Sequence, residues 1–191
     1  MRSELWLVRH GETEWSAAGK HTSHTDVGLT EAGGAAAARL AAPLAAHAFA
    51  MVLTSPLQRA RDTAARAGFP DAVVDDDLHE WDYGELEGLT TDEIRARGGA
   101  FADWSIFTGP VPGGETIAEV AERAARVLAR ADAAGGDVLC FGHGHALRVL
   151  TAVALELGPA AGARFALDPA TINVLGWEHE TRALHAWNVT A

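Results

Sequence analysis

The feature that most constrains this chain is the order in which two kinds of apolar pattern follow one another. Leu5 to Val8, Ala50 to Thr54 and Asp137 to Phe141 are short apolar runs that read as buried strands. Between them lie longer segments of helical character. Thr30 opens an Ala-rich helix to about His47, with Thr30 as its N-cap. Ser55-Pro56 starts a second helix with cap and first-turn proline in the preferred order. Glu115 to Ala134 repeats apolar residues at Ile117, Val120, Ala124 and Val127, a helical period. A last helix runs from Gly144 to about Leu157. Ala72 to Val74 adds a brief strand, and Asn173 to Trp177 with Ala183 to Val189 reads as a hairpin. Residues 89–114 are the least regular, with a short helix expected around Thr91 to Arg97. Strands alternating with helices predict an α/β fold: one three-layer domain over residues 1–191, with a mostly parallel central sheet and helices on both faces.

In such sheets ligands bind outside the carboxyl ends of the strands. Three strand ends here carry Arg9-His10, Thr54-Ser55 leading to Arg59, and Gly142-His143. That clustering stands against a formal net charge of −11. A chain this acidic repels nucleic acid and anionic lipid over most of its surface, so neither is an expected partner. A small phosphorylated molecule held by a local cluster of Arg and His is the expected one. The single cysteine, Cys140, lies among apolar residues and reads as a buried strand residue. No leader and no apolar run of about 20 residues is evident, so a cytoplasmic location is expected. Nothing in the sequence indicates an oligomeric state.

The chemistry follows from residue types. An imidazole attacks phosphorus through one ring nitrogen if a backbone acceptor holds the other, which makes His10 the candidate nucleophile. Arg9 offers forked donors matched to phosphate oxygens, and Gly11 is expected to let substrate approach the backbone. Arg59, in the first turn of its helix, turns back toward the strand ends, whereas Arg61 points elsewhere. Cleaving a phosphomonoester near neutral pH needs an acid for the leaving oxygen. Glu80, flanked by Trp81 and Tyr83, is the choice on the ground of desolvation. Asp82, Glu85 and Glu87 compete with it, and the sequence does not rank them. The helix after Gly142-His143 points backbone N–H groups at an anion. A protonated His143 would neutralise charge growing on the transferred group. For His145 and Arg148 the plain alternative is capping and surface pairing, favoured for Arg148.

The segments RHGETEW, HTSHTDVGLTEAG, SPLQRARDTA, LHEWDYGELEG, GGETIAEVAERAARVL and FGHGHALR together resemble the histidine phosphatase superfamily, in its phosphoglycerate-mutase-like branch. The resemblance spans roughly residues 4–155, with the motifs in the family's order. It implies His10 as nucleophile, Arg9, Arg59 and His143 completing the phosphate pocket, and Glu80 as proton donor. It also implies substrate binding by Ser16, Thr22, Ser23, Tyr83, Gly144 and His145, with no cofactor and no metal. Ser16 stands where the family often has Asn, and Ser23 where it often has Gly; Ser16 retains a hydroxyl able to donate to phosphate. The EWSAAGKHTSHTD and GHGHALR stretches are similar to a subgroup that includes the fungal sedoheptulose-1,7-bisphosphatase, which leans the substrate toward sugar phosphates or bisphosphates.

Three other readings compete. A phosphoglycerate mutase would use the same phosphohistidine; the family's mutases carry a longer insertion after the acid motif with clamping basic residues, and here residues 89–114 hold only Arg95 and Arg97. A metal-dependent hydrolase would use His143 with His145 or His21 with His24 as ligand pairs, but the chain is short for the barrel that usually carries such pairs. A non-catalytic phospho-ligand binder would have no need of the intact His10, Arg59, Glu80 and His143 set.

Overall fold

The computed structural model describes residues 3–191. Its centre is one six-stranded sheet, made of β1 (Leu5–Arg9), β2 (Met51–Thr54), β3 (Val73–Val74), β4 (Val138–Gly142), β5 (Thr171–Glu178) and β6 (Thr181–Thr190). The strand order is β3-β2-β4-β1-β5-β6. β1, β2, β3 and β4 run parallel. β5 pairs antiparallel with β1, and β6 returns antiparallel to β5. The sheet is therefore mixed but mostly parallel, as the alternating pattern predicts.

Strand alternation sorts the core into two layers. Leu5 and Leu7 of β1, with Val138 and Cys140 of β4, face α6 (Ile117–Ala133) and α7 (Gly144–Ala154) through Ala124, Val127, Leu147 and Leu150. Val8, Leu139 and Phe141 face the opposite way, onto a layer built from α2 (Glu31–Arg39), α3 (Ala41–Ala45) and α4 (Gln58–Arg66). Each fully buried aliphatic side chain on these strands contributes about 1.5–3 kcal/mol. Cys140 sits inside this core with no exposure, and burial pushes its thiol well up, which fits the structural reading.

Residues 81–120 form a third, smaller core. Trp81, Leu86, Ile94, Trp104, Ile106 and Phe107 pack together against Val120 and Val149. The predicted short helix appears there as α5, over Thr91–Arg95.

Two predicted helices differ from expectation. The segment opened by Thr30 does have the expected cap, the Thr30 hydroxyl accepting from Gly33 N at 2.9 Å. It breaks at Leu40, however, between α2 and α3. Pro43 explains the break, since it lacks an N–H and its ring collides with the carbonyl four residues back. The helix expected to start at Ser55-Pro56 starts at Gln58, with Leu57 at the cap position and no side-chain cap of its own. Asp26 supplies one from a distant loop, accepting from Gln58 N at 2.8 Å. The Ser55 hydroxyl accepts from Leu57 N at 3.3 Å and also meets a more distant partner, described below. Among the described residues no helix is long and apolar enough to cross a membrane.

Candidate active site

The carboxyl ends of the neighbouring strands β2, β4 and β1 lie side by side, and the ladder continues one residue past each. His10 N donates to Gly142 O and Ser55 N to Phe141 O, both at 2.9 Å. These bonds fix where His10 and Ser55 leave the sheet. His10 Nδ1 then lies 2.7 Å from Gly11 O. A carbonyl only accepts, so Nδ1 carries the hydrogen and Nε2 keeps its lone pair. Burial, then the charges of Arg9 and Arg59, hold the His10 imidazolium well below its ordinary range, so the ring is neutral.

His143 lies against His10, with ring centroids 5.1 Å apart. Its Nδ1 accepts from Arg59 Nε at 3.2 Å, and its Nε2 lies 2.7 Å from Ser55 Oγ. With Nδ1 accepting, the proton resides on Nε2 and the ring is neutral. Burial and the adjacent Arg59 push its pKa well down, in agreement. The protonated His143 considered from sequence is therefore not the form in the free protein. Arg59 supplies the fixed charge behind it. This arginine is fully buried, and its other donors go to Thr25 O, Thr22 O and Ser23 O at 3.1–3.2 Å. Thr63 ties the cluster to the strand end, its hydroxyl donating to Arg59 O and accepting from Gly11 N.

Gly11 has a role other than the one expected. A Cβ there would lie 2.5 Å from Gly33 O, and one on Gly33 would lie 2.2 Å from Glu12 O. The glycine pair lets the loop after β1 press against the start of α2; substrate approach is not what requires it. Gly144 does face the site, a Cβ there falling 3.4 Å from Arg9 Nε. Arg9 donates from Nη1 to Leu167 O at 2.5 Å, while its buried Nε has no hydrogen-bond partner among the described residues. An orphaned buried guanidinium donor is costly unless an anion completes it.

Glu80 is buried at 6% exposure beside Tyr83, and its carboxylate is held chiefly by backbone N–H groups. It accepts from Trp81 N at 2.9 Å, His145 N at 3.1 Å and Ala146 N at 2.9 Å. The start of α7, expected to face phosphate, thus gives two of its N–H groups to Glu80. Trp81 turns away, donating from Nε1 to Glu115 O at 2.8 Å. The stretch 77–82, which leaves the short 3-10 turn Asp76–Leu78, is held by Arg123 of α6. This buried arginine pairs with both oxygens of Glu115 at 2.9 and 3.0 Å and donates to Asp77 O and His79 O at 3.0 and 2.7 Å. Glu115 in turn accepts from Asp82 N at 2.9 Å. Of the four competing carboxylates, Glu80 alone lines the cavity.

That cavity has a volume of about 210 Å³ and brings together Arg9, His10, Glu80, Tyr83, Gly144 and His145. Tyr83 and His145 are joined by a 2.6 Å hydrogen bond; burial keeps the phenol protonated and the imidazole neutral, so Tyr83 donates to Nδ1. Ser16 and Thr22 also line it. In the free protein the Ser16 hydroxyl is engaged at the cap of α1 (Glu14–Ala17), exchanging hydrogen bonds with Thr13. Arg59, His143 and Ser23 do not reach the cavity wall. The first two stand directly behind His10, and Ser23 contributes its backbone carbonyl to Arg59.

Six lining residues lie outside the predicted site set, among them Lys20, His21 and Arg148. Arg148 was assigned to surface pairing. Its guanidinium instead lies 4.6 Å over the Phe107 ring and donates to Gly162 O and Ala163 O, with the stem along the cavity. Helical spacing from Gly144 was the available signal, because residues four apart share a face. Lys20 is the chain's only lysine and sits in the loop that carries Ser16 and Thr22. The histidine pairs considered as metal ligands are engaged separately: His21 Nδ1 with Leu89 O at 2.8 Å, and His24 with Asp82 at 3.3 Å.

Comparison with known proteins identifies the family. Residues 5–190 match the model of the histidine phosphatase superfamily, branch 1. The chain is 41% identical to an acid phosphatase of Mycobacterium tuberculosis, over 97% of this chain and 92% of that protein. It is 35% identical to the sedoheptulose 1,7-bisphosphatase of Saccharomyces cerevisiae, over 80% of this chain and 67% of that one. A solved structure of a Mycobacterium tuberculosis open reading frame superposes with a TM-score of 0.93 at 38% identity, covering 100% of this chain and 99% of the other. With phosphatase-named relatives and a family match over nearly its whole length, the chain belongs to the histidine phosphatase superfamily, as a phosphoric monoester hydrolase.

Proposed function

We propose that this single domain hydrolyses small phosphomonoesters, sugar phosphates or bisphosphates by preference, through a phosphohistidine on His10 and without a metal in the reaction. The observation that carries the proposal is the locked tautomer of His10: Nδ1 held by Gly11 O, Nε2 unprotonated, and Arg9 and Glu80 in the same cavity.

In the first step the Nε2 lone pair attacks phosphorus, the bond from phosphorus to the ester oxygen breaks, and Glu80 gives that oxygen a proton. In the second, water attacks phosphorus, Glu80 takes up the water's proton, the P–N bond breaks and His10 is restored. Arg9 from the cavity wall and Arg59 through His143 oppose the charge on the phosphoryl oxygens, the electrostatic work that phosphoryl transfer demands. The volume of about 210 Å³ leaves room only for a small group such as a phosphate ester. Lys20 on the same wall gives a second anionic group somewhere to bind, which supports the lean toward bisphosphates.

Transfer to a second substrate hydroxyl, the mutase reading, is disfavoured by the 89–114 segment. Its two arginines are engaged locally, Arg95 with Trp104 O at 3.0 Å and Arg97 over the Phe101 ring. Neither lines the cavity.

The test is a panel of phosphorylated metabolites with phosphate release as readout, run on the native chain and on His10→Ala, with and without a chelator. Release that is abolished in His10→Ala and indifferent to the chelator is expected. Full release by His10→Ala ends the proposal. Conversion of 3-phosphoglycerate primed by a bisphosphoglycerate, without net phosphate release, would favour the mutase.

A further inference from the structure

At the amino ends of the parallel strands, on the far side of the sheet from the cavity, a second cluster of chemistry-bearing groups assembles. Glu4 precedes β1, Asp137 precedes β4, and His47 follows α3. One ligand atom from each lies within 4.8 Å of the other two. His47 Nε2 is 2.7 Å from Asp137 Oδ2, and Glu4 Oε1 is 3.0 Å from His185 Nδ1 on β6.

We propose that Glu4, His47 and Asp137, with His185 orienting Glu4, form a site for a divalent transition metal of the zinc class. The donor set is mixed nitrogen and oxygen, which suits a borderline ion such as Zn²⁺ and not the all-oxygen surroundings of Mg²⁺ or Ca²⁺.

Beyond proximity, each donor is oriented by a partner of its own, as metal ligands are. Glu4 N donates to Asp137 Oδ1 at 2.7 Å, leaving Oδ2 for the site. Trp6 Nε1 donates to Glu4 Oε2 at 3.1 Å, leaving Oε1. The His47 ring is fixed between aromatics, 4.5 Å from Trp6 and 5.1 Å from Phe49 by ring centroids. His185 reaches Glu4 only because residue 176 lacks a side chain; a Cβ on Gly176 would lie 2.1 Å from the His185 ring. A metal here replaces the proton shared by His47 and Asp137. It also joins Glu4, His47 and Asp137, which are far apart in the sequence, so binding raises the unfolding midpoint. The cluster is remote from His10, so phosphoester cleavage does not depend on it.

The test uses chelator-treated, folded protein titrated with Zn²⁺ by calorimetry and with Co²⁺ by visible absorption. One equivalent should bind, with d–d bands of a low-coordinate Co²⁺ site and a rise in melting temperature. His47→Gln and Asp137→Asn should abolish it, while His10→Ala, in the other site, should keep it. Phosphatase activity of the 47 and 137 variants, expected unchanged, shows that they fold. If either does not fold, Trp6→Phe, which keeps the ring and removes only the indole donor, should weaken binding about tenfold. Failure of the native chain to take up one equivalent, or uptake unaffected by these substitutions, overturns the proposal. Neither outcome touches the phosphatase reading.

Discussion

Replacing Arg123 with Met separates positioning from chemistry. Arg123 touches no cavity wall, yet it fixes both Glu115 and the backbone carbonyls of Asp77 and His79, immediately before Glu80. The side chains of the pair are 5% and 19% exposed, so this is a buried ion pair and not a screened surface contact. Removing one partner of such a pair costs about 3–5 kcal/mol, because the other charge stays buried. For a chain of this length each kcal/mol lowers the melting temperature by about 2–4 °C, so Arg123→Met should lose roughly 6–20 °C. Adding Glu115→Gln should recover part of that loss, since the stranded charge is gone. The catalytic consequence is selective. A loosened Glu80 protonates a leaving group poorly, so kcat on an alkyl phosphate should fall about a hundredfold. With p-nitrophenyl phosphate the leaving phenolate departs without a proton, so kcat should change little. The assay is steady-state kinetics on both substrates beside thermal melts. Equal losses on the two substrates would refute the positioning argument, and an unchanged melting temperature would refute the buried-pair argument.

Other consequences are as direct. Gly33→Ala should destabilise by about 1–3 kcal/mol although alanine is the better helix former, because its Cβ would meet Glu12 O at 2.2 Å; chemical denaturation that finds the variant more stable contradicts the packing. His10, His143 and His145 are all held neutral, chiefly by burial, with pKa values well below the ordinary 6.5. Below about pH 6.5 the unfolded chain therefore binds protons that the folded chain does not, and stability is highest above that pH. It should fall as pH drops, by up to about 1.4 kcal/mol per pH unit for each such histidine; urea midpoints that are flat from pH 7 to pH 5 would be inconsistent with buried neutral rings. Lys20→Ala should raise KM for a bisphosphate roughly tenfold while leaving a monophosphate nearly untouched; an equal rise for both would mean that Lys20 binds no second anion.

What was legible in the sequence is what local pattern encodes. The apolar runs at 5–8, 50–54 and 137–141 announced strands because both faces of that part of the sheet are covered. Thr30 announced its helix because a capping hydroxyl acts on its own next turn. His10 and Arg9 were legible because a strand end followed by a loop fixes where they point. What the sequence left unread or unranked shares a cause: each case depends on a partner distant in sequence. Asp26 caps α4 from 32 residues away, and Ser55 meets His143. Glu80 was inseparable from Asp82, Glu85 and Glu87 because its selection rests on Glu115, Arg123 and the start of α7. The Gly11 requirement comes from Gly33, and the placement of Arg148 comes from Phe107 and residues 162–163.

The central claim is that phosphate leaves its ester by way of nitrogen. Quenching a single turnover in alkali, where a phosphoramidate bond survives, and mapping the modified peptide by mass spectrometry tests it most directly. The account predicts a transient phosphoryl group on the peptide containing His10, absent in His10→Ala. Turnover at the full rate with no labelled protein at any time, or a label on another side chain, would contradict it.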